Sequence, residues 1–235
     1  MSSPLVTAVV PVHNGERFLC AALDSILGQA YAPVEVVVVD DGSTDGSASG
    51  ARSRPVRYVG QPNRGVAAAR NAGLAAARGS LVAFLDQDDE WEPDKLTRQV
   101  EYLADHPEVG FVLAHLRLIL EPGTPCPSWL REESIGERTV GYSPGTMVAR
   151  RETFERIGGF DEVYEVASDA EWITRARDAG VGMHMLPEAL LRYRIHDANA
   201  SHRVDAVRAE VLRVLRDSIE RRRGGLPTDG SAARG

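Results

Sequence analysis

The sequence has little cysteine. Cys20 falls in a helical pattern and Cys126 in a proline-rich stretch, too few and too scattered for a disulfide framework or a thiolate metal site. It has no run of about 20 apolar residues, so it offers no segment able to span a bilayer as a helix. Met1 to Pro11 lacks the basic start and the long apolar stretch of a secretory signal, and the expected location is cytoplasmic. Basic charge is also in short supply: 27 Lys and Arg against 34 Asp and Glu leave a formal net charge of -7, which argues against nucleic acid as a partner. No lysine-bearing Walker loop occurs, and no Gly-x-Gly-x-x-Gly follows the first apolar run. P-loop hydrolases and nicotinamide dehydrogenases therefore both lose ground. Repeats at solenoid spacing are absent too.

What is present is a globular composition, 43% hydrophobic over 235 residues, enough for one α/β domain of ordinary size or two small ones. Leu5 to Val12 and Val34 to Val39 are short Val-rich runs that read as buried parallel strands. Between them Phe18, Leu19, Ala22, Leu23, Ile26 and Leu27 recur at helical spacing, giving a β-α-β unit. Val56 to Val59 predicts a third strand, Val66 to Ala77 an Ala-rich helix, and Leu81 to Leu85 a fourth strand. A helix from about Asp94 to Ala104 follows, then one or two strands over Val109 to Leu120. Glu121 to Tyr142, with Pro122, Pro125 and Pro127 and no periodicity, reads as a long surface loop. Arg151 to Ile157 and Asp169 to Ala179 carry helical patterns on either side of Gly158-Gly159-Phe160-Asp161. In a final helix, Val204, Val207, Val211, Leu215 and Ile219 form one apolar stripe. Alternating strands and helices imply an open, mostly parallel sheet, which binds ligands beyond the carboxyl ends of its strands.

Three polar clusters sit at such ends: Pro11-Val12-His13-Asn14, Asp40-Asp41-Gly42-Ser43, and Asp86 to Asp89. Asp86, Asp88 and Asp89 would repel one another unless a cation or a hydrogen-bond network offsets them. Oxygen ligands with vacant positions suit Mg²⁺ or Mn²⁺, which bridge to a substrate's phosphates. An acidic turn capping the next helix explains the same spacing nearly as well. Asp40 and Asp41 can accept hydrogen bonds from a ribose or a base, while a β-turn with an N-cap accounts equally for Asp, Gly, Ser and Thr there.

Taken in order, these segments resemble one family. The residues are Val9-Val10-Pro11-Val12-His13-Asn14-Gly15-Glu16, Leu23-Asp24-Ser25-Ile26-Leu27-Gly28-Gln29, Val36 to Asp45, and Asn63 to Gly73 with its Arg70-Asn71-Ala72-Gly73. Then come Leu85-Asp86-Gln87-Asp88-Asp89-Glu90-Trp91, Gly145-Thr146-Met147, Gly158-Gly159-Phe160-Asp161 and Tyr193-Arg194-Ile195-His196. This run, roughly Leu5 to Ser201, resembles the family 2 glycosyltransferases of the GT-A fold. The resemblance implies an α/β fold with a Rossmann-like, mostly parallel central sheet flanked by helices and a smaller acceptor-side extension. It implies a single domain over 1–223, with a nucleotide-sugar-binding half (1–105), an acceptor-side half (106–202) and a C-terminal helix (203–223); 224–235 reads as a disordered tail.

It also implies site residues. Pro11 and Asn14 would lie along the nucleotide, with Val12, His13, Glu16, Asn63 and Gln87 in the same cleft. Asp41 would bond the base or ribose, with Asp40 close by and Arg70 reaching the nucleotide or anchoring its loop. Asp86 and Asp88 match the family's Asp-x-Asp, and the metal (Mn²⁺ or Mg²⁺) would be held by Asp88 or Asp89 with His196. Members commonly carry an acidic pair near the start of a helix in the second half. Here the matching pair is Ser168-Asp169, a departure that leaves Asp169 as the general base. Glu171 lies about 200° further round such a helix, and with Trp172 it would touch substrate. The alternative for Asp169 is a first-turn acidic cap. Trp129, in the 121–142 loop, is a candidate stacking residue of an acceptor-side lid.

The implied reaction is inverting transfer of a sugar from a nucleoside diphosphate donor, UDP by resemblance, to an acceptor hydroxyl. Two rivals stay open: a nucleotide-sugar-binding module without catalysis, and a sugar nucleotidyltransferase. The final helix, rich in Arg203, Arg208, Arg213, Arg216 and Arg221 to Arg223, fits a solvated face or peripheral contact with anionic lipid, and its apolar stripe fits core packing or a homodimer seam.

Overall fold

A computed structural model of the chain describes residues 3–127, 130–197, 199 and 203–224. Trp129 and the 225–235 tail lie outside the described residues, while Gly224 still belongs to the last helix.

The Val-rich runs form strands because β-branched side chains suit a pleated, doubly covered surface. In chain order the elements are β1 (Val6–Val12), α1 (Leu19–Leu27), β2 (Val34–Asp41), α2 (Ser47–Arg52), β3 (Arg57–Gln61), α3 (Val66–Ala76), β4 (Leu81–Phe84) and β5 (Glu90–Trp91). There follow α4 (Lys95–Asp105), β6 (Val109–Leu120), β7 (Arg138–Thr139), β8 (Val148–Arg150), α5 (Arg151–Ile157), α6 (Ser168–Asp178), β9 (Gly182–Ile195) and α7 (Val204–Gly224). One sheet runs β3-β2-β1-β4-β8-β6-β9-β5, with β7 paired to β6. The first half is parallel: β1 pairs β2 and β4, and β2 pairs β3. Beyond it β8 lies antiparallel between β4 and β6, while the long strands β6 and β9 run parallel to each other.

Side-chain alternation along β1 divides the core in two. Val6, Ala8, Val10 and Val12 pack on α1 and α4, against Leu19, Leu23, Ile26, Leu96 and Val100. Val9 faces the opposite layer, which holds Phe84, Phe111, Phe154, Phe160 and Trp172. Gly73 on α3 allows the close approach to β1 here: a Cβ at this position would stand 2.2 Å from Val9 Cγ1.

Two expectations need correction. The 121–142 segment is not structureless, since Glu132–Ser134 form a 3₁₀ turn and β7 pairs with β6. The apolar stripe of α7 is not its packing face: Val211, Leu215 and Ile219 are 37%, 53% and 50% exposed, whereas Val214 and Ser218 are buried. The helix is instead turned so that Glu210, Asp217, Ser218 and Arg221 meet α6 and the loop before it, because those polar groups find partners there.

Candidate active site

The carboxyl ends of β1 and β2 are stitched together by side chains. Asn14, at φ 50°, occupies the left-handed region that asparagine tolerates. From there its Oδ1 accepts from the Thr44 N–H at 2.9 Å, and its own N–H donates to Ser43 Oγ at 3.0 Å. Glu16 Oε2 accepts from the Gly46 N–H at 3.0 Å. His13 Nδ1 lies 3.0 Å from the Asp41 carbonyl, and the Asn63 amide is 3.2 Å from both ring nitrogens. Pro11 and Val12 are buried beneath them.

Asp40 and Asp41 are both buried at the end of β2. Asp40 accepts from the Ser43 N–H at 2.8 Å and from Tyr58 Oη at 2.7 Å. Burial alone would raise its pKa, but these donors outweigh it and hold the carboxyl below its usual range. Asp41 Oδ1 accepts from Gln61 Nε2 at 2.8 Å and the Arg64 N–H at 2.9 Å, and Oδ2 from the Gly65 N–H at 2.8 Å. With these three donors on a carboxylate that has about four lone-pair sites, Asp41 shapes the 61–65 loop.

The Asp86 to Asp89 turn is joined to the β1–β2 cluster by Gln87, which accepts from the His13 N–H at 2.8 Å and donates back to the His13 carbonyl at 3.2 Å. Asp86 Oδ1 receives Arg70 Nη2 at 2.7 Å. Asp88 Oδ2 lies 2.9 Å from His196 Nε2 and 3.2 Å from Asn199 Nδ2. Asp89 is buried, with Oδ1 accepting from the Arg194 N–H at 2.9 Å and Oδ2 without a hydrogen-bond partner. Burial, then the charges of Asp88 and Asp86, push its carboxyl well above the usual range.

Among the described residues no group of three His, Cys, Asp or Glu side chains is placed to hold a metal, so Asp88, Asp89 and His196 do not form a ready-made cage. What stands there fits a hard cation that takes most of its shell from phosphate and water. Asp88 Oδ2 and His196 Nε2 offer adjacent donors, and the unpartnered Asp89 oxygen is buried beside Asp88 where positive charge would stabilise it.

Asp169 lies in the first turn of α6. Its carboxyl is raised above the ordinary range by burial and by Asp86, an effect opposed by Arg70 and by the Ala170 N–H at 2.7 Å. Arg70 is itself buried, and Asp86 and Asp169 hold its guanidinium charged despite that burial. Arg70 is thus tied to Asp86 by an ion pair and to Asp169 through charge alone. Its neighbour Asn71 makes a reciprocal pair of 2.8 Å bonds to the main chain of Phe160.

Two assignments are overturned. Trp172 is fully buried in the aromatic core, near Phe111 and Phe154, with Nε1 donating to the Gly158 carbonyl at 2.9 Å. Glu171 is buried on the far side of α6, where Arg175 Nε reaches it at 2.8 Å. Glu171 lies about 200° round the helix from Asp169, on the opposite face, whereas Trp172, at i+3, shares much of the face of Asp169 and is taken up by the aromatic core instead. Two residues went unassigned from sequence. Arg194 donates to the Asp88 carbonyl at 3.0 Å and pairs with Glu121 at 2.8 Å and with Glu90, fastening the acidic turn to β9. Asn199 touches Asp88 and accepts from the His196 N–H at 2.5 Å. Arg194 lies inside a motif already singled out; no spacing in the sequence marks Asn199.

Comparison with known proteins gives the family and the fold. Residues 7–158 match the family described as Glycosyl transferase family 2, and the chain belongs to that family. It is 33% identical over 213 residues to an uncharacterised glycosyltransferase of Nostoc sp., covering 83% of this chain and 66% of the relative. Among solved structures it is similar to the mannosyltransferase PcManGT from Pyrobaculum calidifontis in complex with GDP-Man and Mn²⁺, with a TM-score of 0.72, 26% identity, and coverage of 94% of this chain and 65% of the other. It also shares its fold with TarS 1-349 of S. aureus in complex with UDP, with a TM-score of 0.69, 22% identity, and coverage of 91% and 65%. The chain thus spans about two thirds of the length of these proteins. No helix among the described residues is long and apolar enough to cross a membrane.

Proposed function

We propose that this chain moves a sugar from a nucleoside diphosphate donor to an acceptor hydroxyl with inversion, using Asp169 as general base. The observation that supports the reading is that Asp169, in the first turn of α6, feels the charges of Arg70 and of Asp86, the first residue of the Asp-x-Asp turn, which Arg70 binds at 2.7 Å. The acceptor oxygen attacks the anomeric carbon as the bond to the diphosphate breaks, its electron pair leaving with the phosphate oxygen. Asp169 takes the acceptor's proton, a role typically worth ~10²–10⁴-fold in rate. Asp41 and the loop it organises hold the nucleoside; in-line placement and exclusion of water supply the rest. Asp88 and His196 are the groups that would hold a Mn²⁺ or Mg²⁺, which when bound neutralises charge growing on the leaving diphosphate. A Mn²⁺ complex of a structural neighbour supports this reading. UDP and GDP-linked sugars are both candidate donors, since neighbours bind UDP and GDP-Man.

The test is Asp169→Asn, assayed for donor consumption and for transfer to a panel of hydroxyl acceptors. Turnover should fall by at least two orders of magnitude with donor affinity nearly unchanged. Retention of most turnover removes Asp169 from the chemistry.

A further inference from the structure

Helix α6 begins without a capping side chain of its own: Ala167 occupies the N-cap, and no side-chain bond closes the first turn from that position. The preceding main chain is held from another element. Glu210, on α7, directs its carboxylate at three consecutive N–H groups, accepting from Glu165 at 2.9 Å with Oε1 and from Val166 and Ala167 at 2.9 and 2.8 Å with Oε2. We propose that Glu210 is a positioning residue for the reaction, fixing through these bonds the loop that sets the first turn of α6 and so the carboxylate of Asp169. The inference rests on Asp169 being the base.

Three features support it. First, the bonds are charge-assisted and converge on one carboxylate, which makes each about twice as strong as a neutral one. The negative charge also sits before a helix N-terminus, where the backbone dipole favours it. Second, a single residue, Ser168, separates Ala167 from Asp169, so a shift of the loop is carried directly to the base. Third, other contacts between α7 and this loop are poor substitutes. The Arg203–Glu165 ion pair is 50% and 69% exposed, a setting in which such pairs contribute little. Tyr164 Oη donates to Asp217 at 2.5 Å and packs with Val214, which anchors the start of the loop but leaves the 165–167 N–H groups to Glu210.

Glu210→Ala, Glu210→Gln and Glu210→Asp, with Arg203→Ala as a control on the same loop, test this in the intact chain. Misplacing a catalytic group by about 1 Å costs up to ~10²-fold. Glu210→Ala should therefore lower kcat roughly ten- to a hundred-fold, with the KM and Kd for the donor within about twofold of wild type. Glu210→Gln keeps the shape and one acceptor oxygen, guards against a folding defect, and should fall between. Glu210→Asp should lose less than Glu210→Ala, and Arg203→Ala should stay near wild type. In an Asp169→Asn background Glu210→Ala should cause no further loss, because the two act as one unit. Unchanged kcat in Glu210→Ala, a parallel loss of kcat and donor affinity in Glu210→Gln, or additive losses in the double variant would overturn the proposal. If Asp169→Asn itself retains turnover, the base assignment fails instead, and the single Glu210 variants still report whether the loop matters.

Discussion

Asp169, the proposed general base, opposes stability where it stands. Its pKa is raised in the folded chain, so between the ordinary Asp value of about 3.9 and that raised value the native state retains a proton the unfolded chain has lost. Stability therefore falls as pH rises through this window and stays lowered above it. Asp169→Asn removes that opposition, so the variant should melt at or above the wild-type temperature at pH 7, with the gap closing toward pH 4. A thermal melt at the two values checks it; a variant less stable at pH 7 than at pH 4, relative to wild type, contradicts it. The same group must be ionised to accept a proton, so the acid limb of kcat/KM should lie above the ordinary Asp pKa. The pairing of Asp86 with Arg70 and of Asp88 with His196 joins residues that the sequence motifs single out, whereas Asp169 is proposed from a departure from the family's pattern. The place of Trp172 was not legible, since sequence gives neighbours along the chain and not the burial of a ring. Nor was Lys95, buried over the Trp91 ring at 4.2 Å with its pKa pulled well down by burial, because nothing around it in sequence announces an interior lysine.

Among the elements, α3 carries the heaviest positional demand. It holds Arg70 toward Asp86 and Asn71 toward Phe160 while lying against β1, and Gly73 makes that approach geometrically feasible. Gly73→Ala should destabilise the fold by about 1–3 kcal/mol, the usual range for overpacking, despite alanine's better helix propensity. A lowered denaturant midpoint with an unchanged m-value would show it, and an unchanged midpoint would mean that α3 moves away at no cost. The parallel strands and the helices between them were readable from period and composition. β9 was not: Gly182, His184, Pro187, Glu188 and Arg192 interrupt its apolar pattern, and Pro187 and Glu188 fall where the register with β6 slips between Leu186 and Ala189. Proline and extra residues at such a bulge are structurally sound but erase the alternation that marks a strand. The rotation of α7 was hidden for a similar reason, because its polar anchors outweigh a stripe of four or five aliphatic residues.

At the scale of the whole molecule, an acidic chain of net charge -7 gathers most of its chemistry along one edge of a sheet. His13–Gln87 joins the β1–β2 cluster to the acidic turn and Arg70–Asp86 joins that turn to α3, while Asp169 on α6 is coupled to Arg70 and Asp86 through charge. Away from it, Val211, Leu212, Leu215 and Ile219 leave an apolar face on α7 exposed. On the proposed function, this edge of the sheet grips a nucleoside diphosphate sugar together with a cation. A ligand bound only by the folded state at 100 times its Kd stabilises by about 2.7 kcal/mol, well within reach of a thermal melt. The decisive measurement is the melting temperature with UDP- and GDP-linked sugars, with Mn²⁺ and with EDTA, for wild type and Asp88→Asn. A rise for at least one donor that needs Mn²⁺ and is lost or sharply reduced in Asp88→Asn is the expected result. No rise with any donor, or a rise indifferent to both EDTA and Asp88→Asn, would contradict it.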